Sequence, residues 1–69
     1  HGRQQQRPTY EVRYRDDDWI FLKEKGEKSI YVEDTKQDLL EKAKPYVNKQ
    51  NGILKIYYEN NTLENTLYE

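Results

Sequence analysis

The groups able to do chemistry in this 69-residue chain are few: one histidine, thirteen Asp and Glu, seven tyrosines and one tryptophan, with no cysteine. Without thiols, disulfides, thiolate nucleophiles and cysteine-ligated zinc or iron–sulfur sites are excluded. His1 stands in the opening HGRQQQRP, so no serine or threonine with a histidine base can be assembled on the remaining chain. Asp16, Asp17 and Asp18 carry the hard oxygens that calcium or magnesium prefer. They lack the alternate spacing, the glycine and the distal Glu of a calcium loop, and read as a solvated turn with no metal. Glu33 or Asp34 could pair with Glu59 as an acid and a base. Glycosidase-type chemistry needs a cleft between such carboxylates that a domain this small can hardly wall, so they read as structural charge. The expectation is a protein that is not an enzyme and carries no cofactor.

The remaining excess is aromatic. One helix covers one face of a sheet, and alternation then leaves a second set of side chains uncovered. Trp19, Phe21, Tyr31 and Tyr57 are the candidates for that set, as a surface for protein contact or for base stacking. The competing reading makes the tyrosines amphipathic cover for their own core, hydroxyl to water. Arg3, Arg7, Arg13 and Arg15 are weaker candidates for phosphate contact. They are set against a single Glu in residues 1–15, whereas residues 16–69 hold eight Lys and twelve acids. A net charge of −1 gives no electrostatic case for strong nucleic-acid binding.

A chain of this length makes one domain and buries only about 60% of the surface its unfolded form exposes. Residues 1–8 are set aside as a flexible or cloning-derived tail, and residues 9–69 as the domain. No apolar run approaches the roughly 20 residues that span a bilayer, and the first residues are not a secretory signal, so the expected setting is cytoplasmic. Abundant Lys, Asn, Ile and Tyr beside a single Ala suggest an AT-rich bacterial or phage source.

The elements that must position these groups can be read in order. From Thr9 to Arg15 the residues alternate, with Tyr10, Val12 and Tyr14 on one side, as in a half-buried strand. Asp16 to Asp18 turn the chain, and Trp19 begins a second strand continuing to about Lys25, apolar on both faces and therefore interior. Gly26 ends it. Ser29 to Glu33 is a short third strand, and two short turns in succession make an antiparallel meander. Asp34 or Thr35 offers an N-cap, and Thr35 with Asp38 resembles a capping box, opening a helix from about Lys36 to Gln50 with Leu39, Leu40, Ala43, Tyr46 and Val47 as its apolar stripe. Pro45 predicts a kink or break near Glu41 to Lys44. Asn51 and Gly52 supply a left-handed C-cap, Ile53 to Glu59 forms a further strand, and Asn60 with Asn61 turns into an optional last one over Thr62 to Tyr68.

The blocks WIFLKEKGEKSIYVEDT, KQDLLEKAKPYVNKQNG and ILKIYYENNTLENTLYE resemble the small bacterial domain-of-unknown-function family 2188. The likeness covers about residues 10–69 and rests on Trp19, Asp34 with Thr35, Ala43, Gly52 and Tyr68. This chain departs from the pattern at Asn60 and Asn61, where Asp-Gly is usual, and at Pro45. The resemblance implies the fold and a bacterial setting, and carries no active site.

The expected fold is α+β: an antiparallel sheet of three to five strands with one helix on one face, in the order β-β-β-α-β with an optional last β. Its core is expected to hold Val12, Ile20, Leu22, Ile30, Val32, Leu39, Leu40, Ala43, Val47, Leu54 and Ile56. The expected function is non-enzymatic protein binding or self-association through the uncovered face or an edge strand. The alternative is a nucleic-acid-binding domain using the sheet aromatics and the basic N-terminal arm.

Overall fold

A two-residue turn sets the geometry of everything that follows. In the computed structural model, which describes residues 7–69, Asp16 and Asp17 both take positive φ (52° and 67°). This is the turn whose twist matches paired antiparallel strands, and a short carboxylate side chain tolerates it. It joins β1 (Thr9–Arg15) to β2 (Asp18–Lys23), with Arg15 opposite Asp18, Tyr14 opposite Trp19 and Val12 opposite Phe21. β3 (Ser29–Glu33) returns antiparallel along β2, with a register shift between Phe21 and Leu22.

The chain then enters α1 (Lys36–Lys49), where the Thr35 hydroxyl accepts the Asp38 N–H at 3.2 Å. At the far end Gly52 N–H donates to Val47 O and Asn51 N–H to Asn48 O, with Asn51 left-handed at φ 56°. That bond pair is a Schellman cap, and Asn51 alone supplies its left-handed residue. Gly52 serves a different need: a Cβ there would stand 2.8 Å from Pro8 O and 3.0 Å from the Tyr10 ring. Pro45 does not break the helix, which is continuous across it. Both Pro45 and Glu41 are exposed, so water can bond the Glu41 carbonyl that proline leaves without a donor.

β4 (Ile53–Tyr57) and β5 (Leu63–Leu67) complete a five-stranded sheet in the order β3-β2-β1-β4-β5. The fold is α+β with the expected element order, and β2 is interior. The sheet is mixed, not purely antiparallel: β4 lies parallel to β1, because the helix carries the chain back to the starting end of the sheet before β4 begins.

The core forms between α1 and one sheet face. Tyr10, Val12, Trp19, Phe21, Leu54 and Ile56 meet Leu39, Ala43 and Val47 of the helix. Tyr10, Phe21 and Tyr31 form a stacked row across three strands, at centroid distances of 5.4 and 5.9 Å, and Tyr46 of α1 stands edge-on to all three. The expected core is therefore corrected in β2 and β3. Leu22, Ile30 and Val32 point to the opposite face, and Ile20 is buried on that face by its strand neighbours.

Arg7 and Pro8, expected in a loose tail, belong to the folded unit. Pro8 O accepts the Ile53 N–H at 2.8 Å, and the Arg7 guanidinium donates to backbone oxygens of Asn51, Gly52, Tyr68 and Glu69. One side chain thus ties the entry to β1 to both ends of the β4–β5 hairpin. His1 and Arg3 lie outside the described residues.

Candidate functional site

Because α1 covers one face, the other is open among the described residues, and its composition follows from the parity fixed at Asp16 and Asp17. Glu11 and Arg13 project from β1, Ile20 and Leu22 from β2, Ile30 and Val32 from β3, and Lys55 and Tyr57 from β4. Two strips result.

The β1–β4 strip is polar and internally satisfied. Arg13 Nε donates to Glu11 Oε1 at 2.8 Å, and its guanidinium lies 3.9 Å from the centre of the Tyr57 ring. Glu11 is only 9% exposed, so this hydrogen-bonded cation is what makes its burial tolerable. The same bond to Glu11 pushes the Arg13 pKa up, against a smaller opposing effect of burial. Lys55 reaches Glu24 at 3.2 Å, which raises the lysine pKa in turn.

The β2–β3 strip is aliphatic and ends at a free sheet edge. Ile20 and Val32 are direct cross-strand partners, Leu22 is half-buried beside them, and Ile30 and Val32 are 36% and 51% exposed. Such residues, adjacent and bordered by the charged strip, form an apolar patch with a polar rim.

The aromatic candidates fall on both sides. Tyr57 is on the open face, half-buried beneath Arg13. Trp19 and Phe21 are in the helix-side core, at 8% and 0% exposure, and Tyr31 is half-buried in the aromatic row. The physical reason is the turn: with Asp18 in the strand instead of the turn, every β2 side chain changes face. Ile30 and Val32 change face with β2 for the same reason. The signal that would have found them is the preference of hairpins for two-residue turns with positive φ.

Of the arginine candidates, Arg7 is engaged by backbone oxygens, Arg13 by Glu11 and Tyr57, and Arg15 lies in the solvent 3.8 Å from Asp16. The groups that base stacking and phosphate contact would use are thus largely occupied by the fold.

A concavity of about 590 Å³ runs between α1 and β5, lined by Lys36, Gln37, Leu40, Glu41, Lys44 and Glu64. Lys36 bridges it to Glu64, and its ammonium lies 5.3 Å from the Trp19 ring and 5.5 Å from Tyr58. The groove is open and its charges are mixed, with no nucleophile beside a base.

For the carboxylates, Glu33 accepts from Lys42. Glu33 ends β3 and Glu59 follows β4, three strand spacings apart, which is ~14 Å and beyond the span of a glycosidase pair. Among the described residues no group of three or more His, Cys, Asp or Glu is placed to hold a metal ion, and no helix is long and apolar enough to cross a membrane. No family model, no curated protein and no solved structure gives a significant match to this chain.

Proposed function

We propose that this domain is a non-catalytic protein-binding module whose contact surface is the aliphatic strip of the open sheet face where it meets the β3 edge. The observation that carries this reading is the exposure of Ile30 and Val32 beside Ile20 and Leu22, on a face that no element covers among the described residues. Enclosing half-exposed branched aliphatics releases water at about 25 cal/mol per Å² of apolar surface, and a free edge offers unpaired backbone groups that fix the partner's register. The internally paired Arg13–Glu11 strip serves as the rim, which sets orientation more than affinity.

The test is an amide and methyl shift titration of the labelled domain against fractionated host proteins and, separately, a mixed oligonucleotide pool at low salt. Shifts centred on Ile20, Leu22, Ile30 and Val32 with a protein fraction, abolished by Val32→Asp, are the expected result. Shifts at Arg13, Arg15 and Tyr57 with the oligonucleotides would replace this reading by a nucleic-acid one. A protein footprint confined to Lys36, Leu40 and Glu64 would move the site to the groove beside α1.

A further inference from the structure

Resting on that reading, we infer that the partner of this surface is a second copy of the chain, joined by antiparallel pairing of β3 with β3 about a two-fold axis at Tyr31. The sequence around Tyr31 is chemically self-complementary. Antiparallel pairing centred there puts Ile30 of one copy opposite Val32 of the other, Ser29 opposite Glu33 and Lys28 opposite Asp34, twice over.

Each of those pairs is favourable or neutral. Ile30 and Val32 are the exposed aliphatics of the open face, and branched aliphatic pairs directly across an antiparallel ladder stabilise it. Lys28 and Asp34 are both exposed, and neither takes part in an ion pair among the described residues. Like charges never meet, whereas a parallel arrangement would set Lys28 against Lys28 and Asp34 against Asp34. Charge therefore selects the antiparallel register.

The two edges of the sheet differ in the way this requires. On β5 the Thr66 N–H is taken by the Asn65 side chain at 2.8 Å, and next to that strand the Thr62 N–H is taken by Asn60 at 3.1 Å. On β3 no side chain bonds a backbone amide of Ser29–Glu33 among the described residues, and the strand is hydrogen-bonded along β2 alone. The register shift opposite Leu22 bends the start of β3 and limits the regular pairing to its centre. Lys28 is long enough to reach Asp34 across that bend. The helix lies on the far face, so the joined sheets would merge their aliphatic strips into one apolar band of Ile20, Leu22, Ile30 and Val32 from each copy.

A contact of this size is weak, so the dimer is expected to form at about 0.1 to 1 mM. The native chain has no cysteine, which makes cross-linking a register-specific test. Ile30→Cys and Val32→Cys chains, mixed in equal amounts at about 1 mM and oxidised, should yield mainly the mixed disulfide, since only position 30 faces position 32. Sedimentation equilibrium should show Lys28→Glu and Asp34→Lys each weakening the dimer about two- to fivefold, as an exposed ion pair allows, with the combined swap in one chain restoring it. Circular dichroism checks that each variant is folded.

A native chain that is monomeric at about 1 mM overturns self-pairing and leaves the strip free for a different protein. Disulfides forming as readily between like chains as between unlike ones also overturn the register. A dimer indifferent to Val32→Asp overturns both this inference and the reading of the strip on which it rests.

Discussion

On the helix side of the sheet Phe21 is fully enclosed between Tyr10, Tyr31 and Tyr46, whereas on the other side Val32, one strand away, keeps half its surface in water. Both belong to apolar strands of similar pattern. The difference comes from supply: a single amphipathic helix presents one stripe, and the chain assigns that stripe to the larger side chains. Leu39, Ala43 and Val47 form a shallow surface, with Ala43 fully buried, and a shallow helix surface leaves depth for rings. Aromatic side chains bury 150 to 250 Å² each, more than any aliphatic. In a domain of this length, covering the aromatic face removes more apolar area from water than covering the aliphatic one. The open face then handles its residues in two ways, satisfying Glu11 and Arg13 with each other and leaving Ile30 and Val32 uncovered.

The contrast between the faces breaks if substitutions on the two sides cost alike. Phe21→Ala removes the centre of the aromatic row and is expected to destabilise by about 3 to 5 kcal/mol, enough to unfold much of so small a domain. Phe21→Leu, losing less volume, keeps the chain folded and should still show a clear loss in urea midpoint. Ile30→Ala and Val32→Ala remove groups already in contact with water and should each cost under about 1 kcal/mol. Equal losses on both faces in urea titrations of these four variants would mean that the open face is covered in solution.

Within the open face, the polar strip is a folding device and the aliphatic strip is not. Arg13→Ala leaves the carboxylate of Glu11 buried without its donor, which should cost about 1 to 3 kcal/mol. Adding Glu11→Gln to Arg13→Ala should recover part of that loss, since the uncompensated charge is then gone. A Val32→Asp chain, by contrast, should unfold close to the native midpoint. If Arg13→Ala is neutral, the strip is dispensable for folding, and its charges become available for contact with a partner.

The sequence made the elements legible and the faces illegible, for one reason. Strand, cap and turn signals are local: Thr9 to Arg15, Ser29 to Glu33 and the Thr35 cap stand where their residue types place them. Face assignment is relational. Three consecutive aspartates read equally well as a three-residue turn, which would pair Val12 with Leu22, or as a two-residue turn with Asp18 in the strand, which pairs Val12 with Phe21. A slip of one residue exchanges the faces of β2, and β3 follows through its own pairing. Tyr57 escaped the error because its parity is set by β1 and not by that turn. The parallel placement of β4 was also beyond local patterns, since β-α-β order is compatible with several insertion points. Arg7 follows a run of polar residues, and nothing in composition distinguishes an arginine in a tail from one that ties three backbone segments.

The smallest expected effect tests by pH how closed the helix side is. Burial raises the pKa of the Tyr10 hydroxyl above the ordinary 10.0, with Tyr46 nearby as a lesser cause, and Tyr14 is raised as well. Hydrogen bonds to Glu33 and Glu24 raise Lys42, on the helix side, and Lys55, on the open face, above 10.5. For a raised folded-state pKa the sign is fixed: the group's contribution is complete below its unfolded pKa and is lost as pH rises through the folded value, because the unfolded chain gives up its proton first. Stability should therefore be level from about pH 7 to 9 and decline above about 10. The tyrosine and lysine shares differ in their response to salt, since exposed ion pairs are screened and the buried hydroxyl is not. In Tyr10→Phe the thermal midpoint should fall less steeply above pH 10 than in the native chain, and 0.5 M salt should leave that difference in place. A native and a Tyr10→Phe curve that stay parallel from neutral to alkaline pH would mean that Tyr10 is hydrated, and that the helix side is less closed than its packing implies.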